Sequence, residues 1–386
     1  MNAVPNPVFS TNNHSHPTMK ITRIEIYQCP IRLHEPFVIS LGPMTHAENV
    51  VVVITTDSGM QGFGECSPFL TINGEAMDSA AVMGRYLGRG LLGKDPLDIA
   101  GCVAAMDRVV YGNYSIKSAF DIALYDIASQ QAGVPLFAFL GGDGDKVMYT
   151  DYTVGLGSPD KMAGDAAGIL ERGFRYVKVK LGDTAEADLE RIRAIRERTG
   201  MDIPLCIDAN QGWDTDEAIA CLQSLAPYNI HYCEEPIPRW LYTDLPKVRA
   251  ASPIPLMADE SLSDHHDAKR LIDLEACQLF NLKLGKSAGI FKAMKIIKLA
   301  EKANIGMQVG GFLESRLAFT ASAHLATVSG HIRHFDFDSP LMIEDDPVEG
   351  GITYGENGRV SLPGAPGLGA KVREDYLRDL KRIVVD

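Results

Sequence analysis

The sequence predicts an α/β protein: a parallel (β/α) barrel of eight units, preceded by an α+β domain. Three observations carry this. From about residue 148 onward, short apolar strands alternate with amphipathic helices at a repeat of roughly 25 residues. The strands read as apolar runs, as strands buried beneath helices do. Charged residues also fall at one phase of nearly every repeat, the C-terminal end of the strand, where barrels of this kind place their active sites. An open doubly wound sheet is the competing architecture, but the chain has no glycine-rich phosphate fingerprint.

Taken in order, residues 1–18 read as a flexible tail. They hold no Lys or Arg and no continuous apolar segment, so they do not resemble a secretory signal, and His14 and His16 belong to a solvated stretch. "MKITRIEIYQCPI" and "ENVVVVITTDSGMQGFGE" are β-rich, with "DSG" as the turn between strands. Residues 76–140 become helical. "IKSAFDIALYDIASQQAG" has helical apolar spacing and a closing glycine. Eight barrel strands follow: "MYTDYTVG", "YVKVKLG", "PLCIDANQG", "HYCEEPI", "PLMADES", "CQLFNLKLG", "GMQVGGF" and "RHFDFDSP".

The totals bound the function. At 386 residues the chain exceeds one small core. A formal net charge of −13 argues against nucleic acid or an anionic membrane as partner. No apolar run reaches the length of a membrane-spanning helix. The seven cysteines are scattered without C-x-x-C spacing, which fits buried thiols in a reducing cytoplasm.

The strand ends carry the chemistry. Asp208, Glu234 and Asp259 come from strands three, four and five, so their side chains converge near the barrel mouth. Three carboxylates without His or Cys favour a hard divalent cation, Mg2+ or Mn2+, over zinc. Asn210 and Glu260 stand beside them. Lys180 ends strand two and Lys283 ends strand six, and these strands lie opposite each other in an eight-stranded barrel. Lys178 shares a strand face with Lys180. A lysine with a reference pKa of about 10.4 is a poor base at neutral pH. A second cation two residues away and a nearby metal both disfavour protonation of Lys180; Lys283 would depend on the metal and Lys286 in the same way.

Two opposed bases and a metal suit proton abstraction beside a carboxylate, through an enediolate, with a proton returned to the other face. The outcome is racemisation or epimerisation. With a leaving group on the neighbouring carbon, the same intermediate eliminates. Strand eight adds Asp336 and Asp338, two carboxylates away from the metal, which make a site for a cation.

The set "KVK", "DANQGW", "EEP", "ADES", "NLKLGKSAG" and "FDFD" resembles the enolase superfamily in its muconate-lactonizing subgroup. The resemblance implies an α+β capping domain over a modified (β/α)7β TIM-type barrel. Expected boundaries are 19–140 for the capping domain, completed by 355–386, and 141–354 for the barrel. It also implies metal ligation by Asp208, Glu234 and Asp259, acid/base roles for Lys180 and Lys283, and a homo-oligomer. "FDFDSPLM" looks like the D-x-D of dipeptide epimerases, where the two acids hold the substrate's ammonium group. This places a dipeptide as substrate, with Mg2+ as cofactor. A cycloisomerase, an o-succinylbenzoate synthase, a dehydratase and an amino-acid or betaine racemase remain as alternatives, and so does an inert relative kept for binding.

One departure bears on specificity. Epimerases of Ala-Glu dipeptides are expected to hold the glutamate with an Arg in the first capping loop. Here that loop is "FVISLGPMTHAEN", with Gly42 at the corresponding place and His46 as the nearest basic candidate. Gly42 and Ile72, the latter in "FLTING", therefore suggest a small or apolar pocket. The run Glu344-Asp345-Asp346 would favour a basic side chain if it faced the site.

Overall fold

A computed structural model of the chain describes residues 19–386; the expected tail, with His14 and His16, lies outside that range. One layer is a four-stranded antiparallel sheet in the order Arg382–Val385, Ile21–Ile39, Gly42–Thr56, Gln61–Cys66. Val50 to Ile54, a β-branched run, is buried throughout. The expected turn follows it. Gly59 takes φ +81°, and the Thr56 N–H donates to Met60 O at 3.0 Å.

Helices Met77–Leu91, Ile99–Val109 and Tyr114–Gln131 accompany the sheet. The third lies directly on strand Gln61–Cys66. A Cβ on Gly62 would stand 2.2 Å from Ala123 O, and one on Gly64 would stand 1.9 Å from Ala119 O. The two glycines thus let helix backbone touch sheet backbone. The hairpin formed by the first two strands continues to Ile39 and Gly42 and reaches the barrel. There Leu156 N–H donates to Val38 O at 2.8 Å, and the Ser40 hydroxyl donates to Asn210 O at 2.9 Å.

The second layer is an eight-stranded parallel sheet: Tyr152–Val154, Val177–Lys180, Leu205–Asp208, Ile230–Glu234, Leu256–Ala258, Leu279–Lys283, Gly306–Gly310 and Ile332–Phe335, paired in sequence order. Asp151 N–H donates to Phe335 O at 3.0 Å, linking the first strand to the eighth. Each of the first seven strands is followed by a helix of seven or more residues, from Pro159–Glu171 to Arg316–Ala326, and the eighth by only the turn Ser339–Leu341. The barrel is therefore (β/α)7β. Short polar side chains start five of these helices: Ser158, Thr184, Asp214, Asp264 and Ser315 each accept a backbone N–H of the first turn.

One strand differs from expectation. "MYTDYTVG" splits in two. Met148–Tyr149 pairs with Arg359–Ser361, and only Tyr152–Val154 joins the barrel. Between them Thr150 N–H bonds Gly358 O and Asp151 N–H bonds Phe335 O, so the backbone changes partner there. Among the described residues, no helix is long and apolar enough to cross a membrane.

His324 joins three parts of the chain. Its Nδ1 accepts from Phe137 N–H and its Nε2 lies 3.1 Å from Leu368 O, so the proton sits on Nε2. Burial pushes its pKa down to about 4, against the weaker upward pull of the Leu368 carbonyl. The unfolded chain takes up this proton near pH 6.5 and the folded chain only near 4. The contribution, roughly 3 kcal/mol, is full above pH 6.5 and is lost as pH falls from 6.5 to 4. Denaturation of wild type and His324→Gln across that window should show it as a flatter pH slope in the variant.

Candidate active site

Period-two alternation sends Lys178 and Lys180 inward from the second strand, one layer apart, and both are buried. Lys180 Nζ lies 2.6 Å from Asp208 Oδ2. Lys178 Nζ touches three carboxylates: Asp336 at 2.8 Å, Glu234 at 2.9 Å and Asp208 at 3.3 Å. Across the mouth, Lys283 Nζ lies 2.7 Å from Asp259 Oδ2. Lys286, on the short helix Leu284–Ser287, binds the same carboxylate through Oδ1.

Asp208, Glu234 and Asp259 converge as the spacing predicts. One oxygen of each lies within 4.8 Å of the other two, and all three residues are buried. Three oxygen donors at consecutive strand ends, with no His or Cys among them, fit a hard divalent cation. The surroundings hold each ligand in place. Asn210 N–H donates to Asp208 at 2.8 Å, and its amide donates to Glu260 at 3.2 Å. Glu235 accepts the Asp259 N–H at 2.7 Å.

Electrostatics set the protonation states. Burial opposes ionisation of Asp208, but Lys180 and Lys178 overcome it and lower its pKa. Burial likewise opposes ionisation of Asp259, and Lys283 and Lys286 bring it well below the usual range. Glu234 is raised to about 7, by burial and then by Asp208. Burial disfavours the charge on Lys178, yet Asp336, Glu234 and Asp208 hold its pKa well above the ordinary value. Lys283 is raised for similar reasons, with Asp259 foremost among the carboxylates. Lys178 lies among three carboxylates as well as on the strand face of Lys180, and at Lys283 the pull of the neighbouring acids outweighs the opposing effect of Lys178.

Asp336 and Asp338 lie where expected, just past the eighth strand. Burial opposes ionisation of Asp336, and Lys178, then Lys283, lower its pKa. Asp338 is raised to about 7 by burial and by Asp336. The Thr153 N–H donates to it at 2.7 Å. Lys178, Lys180, Lys283, Asp336 and Asp338 line one small cavity of about 40 Å3, and Ile39, Met44, Phe69, Ile72 and Leu313 contribute apolar walls. Ile72 thus sits at the site, and its carbonyl also accepts from the Arg239 guanidinium. Gly42 does not line this cavity. It takes φ +120° at the hairpin tip and lines a neighbouring crevice with Thr45 and His46. The acidic run faces elsewhere: Glu344 pairs with Arg32 at 3.4 Å, Asp345 with Arg373 at 3.1 Å, and Asp346 with Arg316. It gives no support to a basic substrate side chain.

Sequence reasoning missed the buttress of Glu234. Asn281 donates to it at 2.7 Å and Gln308 at 3.3 Å, and the Tyr232 hydroxyl holds Gln308 at 2.7 Å. The signal was present, since Asn281 lies two residues before Lys283 and so shares its inward face.

Two family models match the chain: mandelate racemase / muconate lactonizing enzyme, N-terminal domain, over residues 21–141, and enolase C-terminal domain-like, over residues 161–376. A D-Ala-D/L-Ala epimerase of Cytophaga hutchinsonii is 56% identical over 95% of this chain and 100% of its own length. An L-Ala-D/L-Glu epimerase of Bacillus subtilis is 40% identical over 91% of this chain and 96% of its own. The crystal structure of the dipeptide epimerase from Cytophaga hutchinsonii, complexed with Mg and D-Ala-L-Val, superposes with a TM-score of 0.94 and covers 95% of this chain and 100% of that one. Matching models over both the sheet domain and the barrel, and relatives aligned along nearly the whole chain, place this protein in the enolase superfamily, in its mandelate racemase and muconate lactonizing branch.

Proposed function

We propose that the protein is a Mg2+-dependent dipeptide epimerase, inverting the α-carbon beside the C-terminal carboxylate. One observation carries the reading. One small cavity is lined by Lys180, Lys283, Asp336 and Asp338, beside a carboxylate triad that fits a divalent cation. The relative crystallised with Mg and D-Ala-L-Val supports both the metal and the substrate class.

Asp208, Glu234 and Asp259 would hold Mg2+. Bound there, it supplies positive charge that acidifies the α-hydrogen of a carboxylate substrate and stabilises the enediolate. The chain's own residues do the rest. Asp336 and Asp338 take the substrate ammonium, which fixes the α-carbon between the lysines. Lys180 or Lys283, whichever faces the α-hydrogen, removes it, and the opposite lysine returns a proton to the other face. Asp259 is foremost among the carboxylates that raise Lys283, so positive charge held at Asp259 would weaken that pull. Asn281 and Gln308 keep Glu234 oriented.

The side-chain preference follows from the lining. Ile39, Met44, Phe69, Ile72 and Leu313 are apolar, and the three cavity-lining lysines face carboxylates. A small or apolar C-terminal residue therefore fits better than Glu. The seven buried free cysteines favour a reducing compartment, the cytoplasm.

The test is a dipeptide library incubated with the protein and Mg2+ in D2O and read by mass spectrometry. A gain of one mass unit in dipeptides ending in Ala or Val, without other products, is expected. Absence of exchange in every dipeptide, with protein folded and metal bound, would sink the reading. Metal binding has its own readout. At about 100-fold excess over Kd, Mg2+ should stabilise the fold by about 2.7 kcal/mol. In Glu234→Gln that shift, measured by denaturation, should shrink markedly.

A further inference from the structure

Beneath Asp336 and Asp338 lies a third acid that the mechanism above does not use. Asp151 stands where the chain enters the first barrel strand and is 4% exposed. One carboxylate oxygen of each of Asp151, Asp336 and Asp338 lies within 4.8 Å of the other two. Three points no farther apart than 4.8 Å all fall within about 2.8 Å of a common centre, which is the length of a charge-assisted hydrogen bond.

Two of these acids already have donors: Lys178 at 2.8 Å from Asp336, and Thr153 N–H at 2.7 Å from Asp338. Asp151 has almost none. Its Oδ1 makes no hydrogen bond, and its Oδ2 meets only the Cys206 thiol at 3.9 Å. A buried acceptor without a donor is costly, and the cost vanishes when a ligand supplies the donor. On its other side Asp151 lines a cavity of about 330 Å3 at the N-terminal end of the barrel, with Tyr149, Tyr176, His231, Tyr232 and His334 among its walls. None of these five bonds its carboxylate, and the Tyr232 hydroxyl is given to Gln308. Arg333 also lines that cavity but is exposed, with its Nε directed to Gly330 O at 3.3 Å.

An ammonium group has three N–H donors, and three carboxylates around one point match them one to one. Building on the dipeptide-epimerase reading, we propose that the subsite for the substrate's amino terminus is a three-carboxylate one. Asp151 is its third acceptor, and the subsite selects a primary ammonium over a methylated or acylated nitrogen. Burial, then Asp336 and Asp338, hold the Asp151 carboxyl well above the usual range; a cation among the three acts in the opposite direction.

Donor counting gives the test. Epimerisation of L-Ala-L-Ala and of N-methyl-L-Ala-L-Ala is followed for wild type and Asp151→Asn, with melting curves as a check on folding. In wild type, the first methyl group should raise KM on the order of tenfold, with kcat little changed. Asp151→Asn should raise KM for L-Ala-L-Ala by a similar factor and erase most of the methylation penalty. A penalty that persists in Asp151→Asn is steric and overturns the proposal. So does equal KM for the two substrates in wild type, which decides the matter even if the variant fails to fold. Turnover of L-Ala-L-Ala by wild type separates the two ideas. Absence of exchange in every dipeptide removes both; turnover with an unchanged KM in Asp151→Asn removes only the third carboxylate.

Discussion

Lys283→Ala should cut epimerisation by orders of magnitude yet leave one half-reaction running. If Lys180 and Lys283 serve opposite faces of the α-carbon, each single variant keeps the base that serves one stereoisomer. Lys180→Ala should then exchange the α-hydrogen of one isomer with D2O, and Lys283→Ala that of the other. Net inversion should fall by about 10²- to 10⁴-fold in both, the range expected for a lost general acid or base. Mass spectrometry of each pure isomer decides it. Exchange of both isomers in both variants would contradict the two-base arrangement, and so would retained inversion in either. Neither alanine should alter the fold grossly, because Asp208 keeps Lys178 and Asp259 keeps Lys286.

Lys178→Met should instead act on stability. Its ammonium sits among Asp336, Glu234 and Asp208 within 3.3 Å of each, in a region with almost no solvent. Removing one partner of a buried ionic network leaves uncompensated charge, and about 3–5 kcal/mol is the usual loss. Denaturant titration of the metal-free protein should show a loss of that size. Mg2+ should recover much of it by restoring positive charge beside Glu234 and Asp208. A variant as stable as wild type without metal would mean that the carboxylates simply take up protons when Lys178 leaves.

The contrast between these lysines shows where sequence reasoning reaches. The barrel was legible because its repeat places chemistry at one phase, so Asp208, Glu234, Asp259, Lys180 and Lys283 announce themselves as strand ends. Their convergence follows from barrel geometry. Which carboxylate each lysine meets does not. Lys178 and Lys180 share a strand face, and repulsion between them was the natural inference; the structure surrounds Lys178 with acids from strands three, four and eight. Long-range partners hide in the same way. Asp346 reads as part of an acidic run until Arg316, thirty positions earlier, is found beside it. Gly42 reads as a substrate contact by position in its loop, and the hairpin places it in a crevice that shares Ile39, Met44, Phe69 and Leu313 with the lysine cavity. Asp151 was invisible because "MYTDYTVG" looks like one strand, and only the change of backbone partner at Thr150 turns its carboxyl toward the acids of strand eight.

The hairpin that reaches over the barrel mouth is pinned on one side by residues far downstream. Ile24 pairs with Val385 and Tyr27 with Arg382, contacts that span more than 350 positions. Loop closure over such distances is entropically expensive and slow. During synthesis on the ribosome, the strand Ile21–Ile39 therefore waits with an exposed edge while the whole barrel emerges. An unpaired edge of this length invites pairing with other chains. The hairpin over the catalytic groups is thus secured only after the scaffold beneath it has been translated. Nascent chains halted before residue 382 should hold a formed barrel under an unsecured roof, prone to capture by chaperones.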